Sequence, residues 1–157
     1  MQDRVLRFKC RLKKIFYKYE YKDKFLFSKD LMFRHGFFIR ILGGKIVIKE
    51  GCFFNNYCSI NSLSYIEIGK NCIFGEGVKI YDHNHKFDSE HITKQNGYTT
   101  GKIIIEDNVW IGSNVVILKG VNIGSNVVIG AGCVINKSIP SNSVVTLNSS
   151  VTIKNLN

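Results

Sequence analysis

Proline occurs once in the 157 residues, tryptophan once and methionine twice, and the five cysteines include no Cys-x-x-Cys pair. An odd cysteine count without that spacing argues against a disulfide framework and against a structural zinc site. Cys52, Cys58, Cys72 and Cys133 sit where a small apolar side chain would fit, and all five, Cys10 included, are expected to be reduced and buried. No apolar run approaches the ~20 residues that a spanning helix needs. The basic start also lacks the uninterrupted apolar stretch and small-residue cleavage site of a secretory signal, so the expectation is a protein made and kept in the cytoplasm. A content of 14 glycines excludes collagen-like and linker-dominated chains, and an apolar fraction of 45% excludes disorder. What remains is one domain with a sizeable core.

Charge of one sign is concentrated at the start. Residues 1–41 hold 12 of the 22 Lys and Arg and 4 of the 12 Asp and Glu, which puts +8 of the net +10 in the first quarter of the chain. There Val5, Leu6, Phe8, Leu12, Ile15, Phe16 and Tyr19 alternate with Arg4, Arg7, Lys9, Arg11, Lys13, Lys14 and Lys18. That spacing predicts an amphipathic helix from about residue 3 to 20. The aromatic-rich stretch Lys24–Ile41 reads as helix or irregular, and residues 1–41 together read as an arm.

The rest of the chain is ordered by a repeat. Isoleucine recurs every six residues at Ile105, Ile111, Ile117, Ile123, Ile129 and Ile135, with a second small or branched apolar residue four positions after each: Val109, Val115, Val121, Val127, Cys133 and Ile139. Six is neither the helical period nor the simple alternation of a strand. It fits a short strand followed by a tight corner, three of which close a triangular coil, with coils stacked ~4.8 Å apart. Ile68, Phe74 and Ile80 keep the same register upstream, and Ile48, Phe54, Ile60 and Ile66 form a looser set, offset by a two-residue slip near Tyr65–Glu67. The prediction is an all-β solenoid domain over 42–145, followed by a tail at 146–157. Residues 81–102 break the period and are polar, which marks an excursion from a rigid scaffold, the kind of segment that tends to carry function.

The run Val109-Trp110-Ile111-Gly112-Ser113, then Gly120-Val121-Asn122-Ile123-Gly124, Val128-Ile129-Gly130-Ala131-Gly132 and Lys137-Ser138-Ile139-Pro140 resembles the hexapeptide-repeat acyltransferases. Among them it is nearest to the maltose, galactoside and surface-polysaccharide O-acetyltransferases. The resemblance spans about residues 66–140. It implies a left-handed parallel β-helix, a homotrimer, and acetyl-CoA as donor, with no metal. The Gly-x-Pro-Ala segment that often follows the helix in that family has no counterpart in 144–157, and the arm does not match the family's usual one.

Acetyl transfer to a hydroxyl needs a base for its proton, stabilisation of a developing oxyanion, and alignment of thioester with acceptor. Imidazole suits the first task because it titrates near neutral pH. The resemblance assigns the base to His85, since Asn84-His85-Lys86-Phe87-Asp88 matches the family's catalytic segment and stands 25 residues before Trp110. His83 is either a partner in the site or a solvated turn residue, and His91 and His35 read as surface or packing residues. Asp82, Asn84 and Asp88 either orient His85, bind sugar hydroxyls, or are ordinary turn residues. For the cofactor, family matching points to Trp110, Ser113, Gly130, Ala131, Asn136 and Lys137, with Lys119 a weaker candidate. Lys137 is placed to pair with a phosphate. Gly130 and Ala131 are equally explained as small residues at a coil corner. Trp110 is too large for the inside of a narrow coil and must face outward.

The expected function is acetyl-CoA-dependent O-acetylation of a sugar or surface-glycan precursor. The alternatives are N-acetylation of an amino sugar or antibiotic, and an inert binding scaffold. A zinc hydratase of the same shape would need three His on adjacent coils; His83, His85 and His91 crowd one excursion, and none lies in 103–157. The arm is expected to cap the solenoid and pack the trimer, or to lie through residues 1–20 on an anionic membrane face. Nothing in it resembles a nucleic-acid motif.

Overall fold

A computed structural model of the chain describes residues 2–87 and 97–147. The repeat resolves into parallel coils with three sides, each side a stack of short strands. The first coil consists of β1 (Phe25–Phe27), β2 (Met32–Phe33) and β3 (Phe38–Ile41), the second of β4 (Lys45–Ile48), β5 (Phe53–Phe54) and β6 (Ser59–Ser62), and the third of β7 (Tyr65–Ile68), β8 (Ile73–Phe74) and β9 (Lys79–Tyr81). A hairpin of β10 (His83–His85) and β11 (Tyr98–Thr100) then leaves the solenoid. The fourth coil is β12 (Ile103–Ile105), β13 (Trp110–Ile111) and β14 (Val116–Ile117), the fifth β15 (Asn122–Ile123), β16 (Val128–Ile129) and β17 (Val134–Ile135). Part of a sixth coil follows, as a bridge at Ile139 and then β18 (Val144–Val145). Side A stacks β1-β4-β7-β12-β15, side B β2-β5-β8-β13-β16-β18 and side C β3-β6-β9-β14-β17.

The isoleucines of the hexads point inward and are essentially solvent-free, as are Val109, Val115, Val121, Val127 and Cys133 at the strand entries. Cys10, Cys52, Cys58 and Cys72 are likewise buried, and all five cysteines are unpaired. The two-residue slip has a simple origin. Strands β4, β6 and β7 are four residues long and turn two side chains inward, as Ile46 and Ile48, Ile60 and Ser62, and Ile66 and Ile68 do. Coils two and three are therefore offset by 20 residues (Ile46 on Ile66), whereas coils four and five are offset by 18 (Ile105 on Ile123).

The boundary of the arm shifts. Residues 25–41 are the first coil, with Phe25, Leu31, Phe33, Phe37 and Ile39 inward, so the arm ends at Lys24. Its register with the second coil is 21 residues (Phe25 on Ile46, Ile39 on Ile60), and phenylalanine replaces isoleucine at several inward positions, which hides the hexad. These aromatic rings pack as one cluster inside the solenoid. Within the first coil Phe33 stacks on Phe37 at 4.6 Å; between coils Phe37 meets Phe54 at 4.8 Å, and Phe54 lies on Phe74 at 4.1 Å and nearly parallel.

One corner carries a second ladder. Asn71, Asn108, Asn126 and Asn142 all have φ of 55–59°, the left-handed region that asparagine tolerates better than most residues. Their amides donate in sequence, from Asn71 to Asn108 (3.4 Å), Asn108 to Asn126 (3.3 Å) and Asn126 to Asn142 (3.1 Å).

Helix α1 (Gln2–Tyr21) covers the open end of the first coil. No Gly or Pro interrupts it, and Arg, Lys and Leu are good helix formers. Cys10 and Tyr17 are buried against the coil. Lys13 Nζ and Tyr17 Oη donate to the Phe37 carbonyl, Tyr21 Oη to that of Ile39 at 3.1 Å, and Lys14 Nζ to those of Lys29 and Leu31. The arm thus caps the solenoid, supplying donors to carbonyls of the terminal coil.

Phe54 sits in the middle of the aromatic stack with no exposed surface. Phe54→Ala is expected to cost about 3–5 kcal/mol in a denaturant titration; a loss below ~1 kcal/mol would mean that the stack closes over the gap.

Candidate active site

The hairpin leaves the corner between sides C and A, and a buried carboxylate holds its root. Asp82 has no exposed surface. Its Oδ2 accepts from Ser62 Oγ at 2.7 Å and from the Ser64 N–H at 2.8 Å, and its Oδ1 accepts from the Leu63 N–H at 2.8 Å. The corner of the second coil therefore grips the first residue of the excursion in the third. On the return strand the Gly101 N–H donates to the Asp82 carbonyl (2.9 Å), and the Gly120 N–H donates to the Gly101 carbonyl (3.2 Å). A Cβ on Gly101 would stand 2.9 Å from the Gly120 nitrogen, so this crossing requires glycine.

Alternation along β10 puts His83 and His85 on one face of the hairpin and Asn84 on the other. His83 is mostly buried, and its Nδ1 lies 3.1 Å from Asp82 Oδ1. His85 is exposed. Register pairs it with Tyr98, whose ring meets His85 at 4.6 Å and the His83 ring edge-on at 5.4 Å. Tyr98 is thus a member of the cluster that sequence reasoning missed; only the antiparallel pairing of the two ends of the excursion brings it there. Asp82 contacts the imidazole of His83. Asp88 and His91 lie outside the described residues. His35 packs edge-on against Tyr57 at 5.5 Å, well away in sequence and coil.

Two clefts collect most of the remaining candidates. One, of about 410 Å³, is lined by Asn84, His85, Lys86, Phe87, Thr99 and Lys119. The other, of about 280 Å³, is lined by Trp110, Ser113, Gly130 and Ala131 together with Gly75, Gly112, Val128 and Ile129. Trp110 faces outward from side B, between Ile73 and Val128 of the coils above and below. Gly75 and Gly112 are small for a reason internal to the fold: a Cβ on either would come within 2.6 Å of a backbone nitrogen in the next coil.

Within one chain these two clefts do not merge. The first belongs to the corner between sides C and A, where Lys119 and, one coil further, the exposed Asn136 and Lys137 follow β14 and β17. The second belongs to the corner between sides B and C. Side C separates them. Among the described residues no three His, Cys, Asp or Glu converge to hold a metal ion.

Comparison with known proteins bears on this arrangement. The family profile described as bacterial transferase hexapeptide (six repeats) matches residues 102–137. A maltose O-acetyltransferase from Clostridium difficile 630 is 32% identical over 98% of this chain and 87% of its own, with a TM-score of 0.70. A galactoside acetyltransferase in complex with coenzyme A is 26% identical over 99% of this chain and 80% of its own, with a TM-score of 0.76. A hexapeptide-repeat acetyltransferase from Vibrio cholerae O1 biovar eltor, complexed with acetyl coenzyme A, is 26% identical over 94% of this chain and 78% of its own, with a TM-score of 0.74.

Removing the Asp82 carboxylate leaves the half-buried N–H groups of Leu63 and Ser64 without an acceptor and the Ser62 hydroxyl with only the Lys45 carbonyl at 3.4 Å. Asp82→Ala is expected to cost about 1–3 kcal/mol for each group left unpaired, less whatever water recovers. Thermal unfolding at the native melting temperature would contradict the anchoring role.

Proposed function

This chain belongs to the hexapeptide-repeat acetyltransferases, its solenoid being their left-handed parallel β-helix, and from that premise we propose that it transfers the acetyl group of acetyl-CoA to a hydroxyl of a sugar or surface-glycan precursor. The observation that carries the reading is the placement of His85. Its ring is exposed on a rooted hairpin, in a cleft whose other walls are the polar or cationic Asn84, Lys86, Thr99 and Lys119, with Phe87 the one apolar ring. Polar walls open to solvent suit a polyhydroxylated acceptor.

In this reading His85 takes the acceptor proton as the hydroxyl oxygen bonds to the thioester carbonyl carbon; the C–S bond breaks, and the proton leaves with the coenzyme A thiol. No covalent enzyme intermediate is needed. Tyr98 holds the imidazole plane by contact, and Asp82 fixes His83 beside it, so the hairpin presents a set ring rather than a freely rotating one. The donor lies against Trp110, Ser113, Gly130 and Ala131, and Lys137, Asn136 and Lys119 meet its phosphates and amides.

The reading includes a homotrimer, and the separation of the clefts supports it. One chain keeps the His85 cleft and the Trp110 cleft at opposite edges of side C. In a trimer the His85 edge of one copy would face the Trp110 edge of its neighbour, and a donor could span both.

His85→Ala is expected to retain acetyl-CoA binding and lose about 100-fold or more in transfer rate, followed by thiol release with a panel of sugar acceptors. Unchanged turnover would remove His85 from the chemistry. Lys137→Ala is expected to raise KM for acetyl-CoA about tenfold with kcat little altered, as loss of one charge-assisted contact implies.

A further inference from the structure

Helix α1 is apolar on two opposite sides, and its role as a cap explains only one of them. Cys10 and Tyr17 face the first coil and are buried, with Leu6 and Tyr21 half-buried beside them. At 3.6 residues per turn, Phe8, Leu12, Ile15, Phe16 and Tyr19, with Val5, fall within an arc of about 100° on the far side. They are 61%, 53%, 59%, 58% and 84% exposed respectively, and Val5 is 49% exposed. An apolar stripe this continuous on a surface helix marks a contact surface.

The borders of the stripe tell what it contacts. Arg4, Arg7, Arg11 and Lys18 line one edge, Lys9 and Glu20 the other, and all are exposed. Lys13 and Lys14, by contrast, are half-buried and engaged with carbonyls of the first coil. Among the described residues none of these five border cations forms a salt bridge. A second copy laid antiparallel, stripe to stripe, would bring the two Arg4, Arg7, Arg11 and Lys18 edges together, which costs energy at contact range. An anionic bilayer meets both features at once: acyl chains take the phenylalanine, leucine and isoleucine side chains, while headgroup phosphates take the arginine and lysine borders.

We propose that α1 docks the protein in the plane of an anionic lipid surface, with the solenoid standing away from the bilayer behind the helix. The orientation is fixed because the same helix is fastened to the first coil through its opposite face. The helix is no membrane span; among the described residues no helix is long and apolar enough to cross a bilayer.

Co-sedimentation of the full chain with phosphatidylcholine vesicles, with and without phosphatidylglycerol, tests this directly. The native chain is expected to pellet with the anionic vesicles, to stay in solution with the neutral ones, and to be released by added salt. A Leu12→Glu/Ile15→Glu variant is expected to lose about tenfold or more in partitioning with its solution mass and far-ultraviolet circular dichroism unchanged. Arg7→Gln/Arg11→Gln leaves the stripe intact and is expected to weaken binding to anionic vesicles alone. The proposal is overturned if the native chain ignores anionic vesicles, if it binds neutral ones equally, or if the glutamate pair changes its oligomeric mass, which would make the stripe a contact between copies. Should the glutamate pair unfold, the arginine pair decides, since full binding by that variant is also fatal. Acetyl transfer to a soluble acceptor is unaffected by any of these results, so failure here leaves the enzymatic reading in place.

Discussion

Each coil of this protein can bury its inward side chains only against the coil above and the coil below. Parallel strands at ~4.8 Å share one set of backbone hydrogen bonds, and that spacing obliges the side chains at a given register to stack on their equivalents. The column Phe33, Phe54 and Phe74, one residue per coil in register, with the last two rings nearly parallel at 4.1 Å, is the aromatic form of this constraint, and the isoleucine columns are its aliphatic form. The asparagine ladder extends it to a corner, where each amide donates to the next at a backbone conformation that few other side chains tolerate. The extra residues of the second coil lengthen strands that keep their columns in register, Ile46 on Ile66 and Ile48 on Ile68.

Stacking leaves an open end with an unpaired strand edge, which natural sheets must cover or charge. Here a helix covers it with unusual means. Lysine and tyrosine side chains of α1 reach the carbonyls of the first coil, and burial lowers the ammonium of Lys13 below lysine's usual value. The positive charge of the arm is therefore of two kinds. Some of it is spent inward on backbone acceptors, and the rest lines an outward apolar stripe.

The corner between sides C and A is where the polar excursion leaves the scaffold. A buried aspartate would be a liability in an apolar solenoid, yet Asp82 is fully hydrogen-bonded by the neighbouring corner and by His83. The carboxylate thus converts a flexible exit from the repeat into a fixed root, and the hairpin above it inherits the rigidity of the coils. The exposed His85 ring then needs only Tyr98 beside it.

The hexads from Ile105 to Ile135, the outward Trp110, the buried cysteines and the polar excursion were all legible in the chain, because a strict period together with side-chain size dictates which residues can be enclosed. The first coil was not legible, since phenylalanine and a 21-residue interval disguised it, and Tyr98 was not, since nothing local pairs it with His85. Local order along the polymer determined the scaffold and the kind of chemistry to look for. Tertiary structure alone decided that Asp82 grips His83, that two candidate clefts sit at different corners of one chain, and that α1 presents a second apolar face. Each of these depends on which residues of distant coils come to share an edge, and a periodic sequence does not record where its own turns will fall above one another.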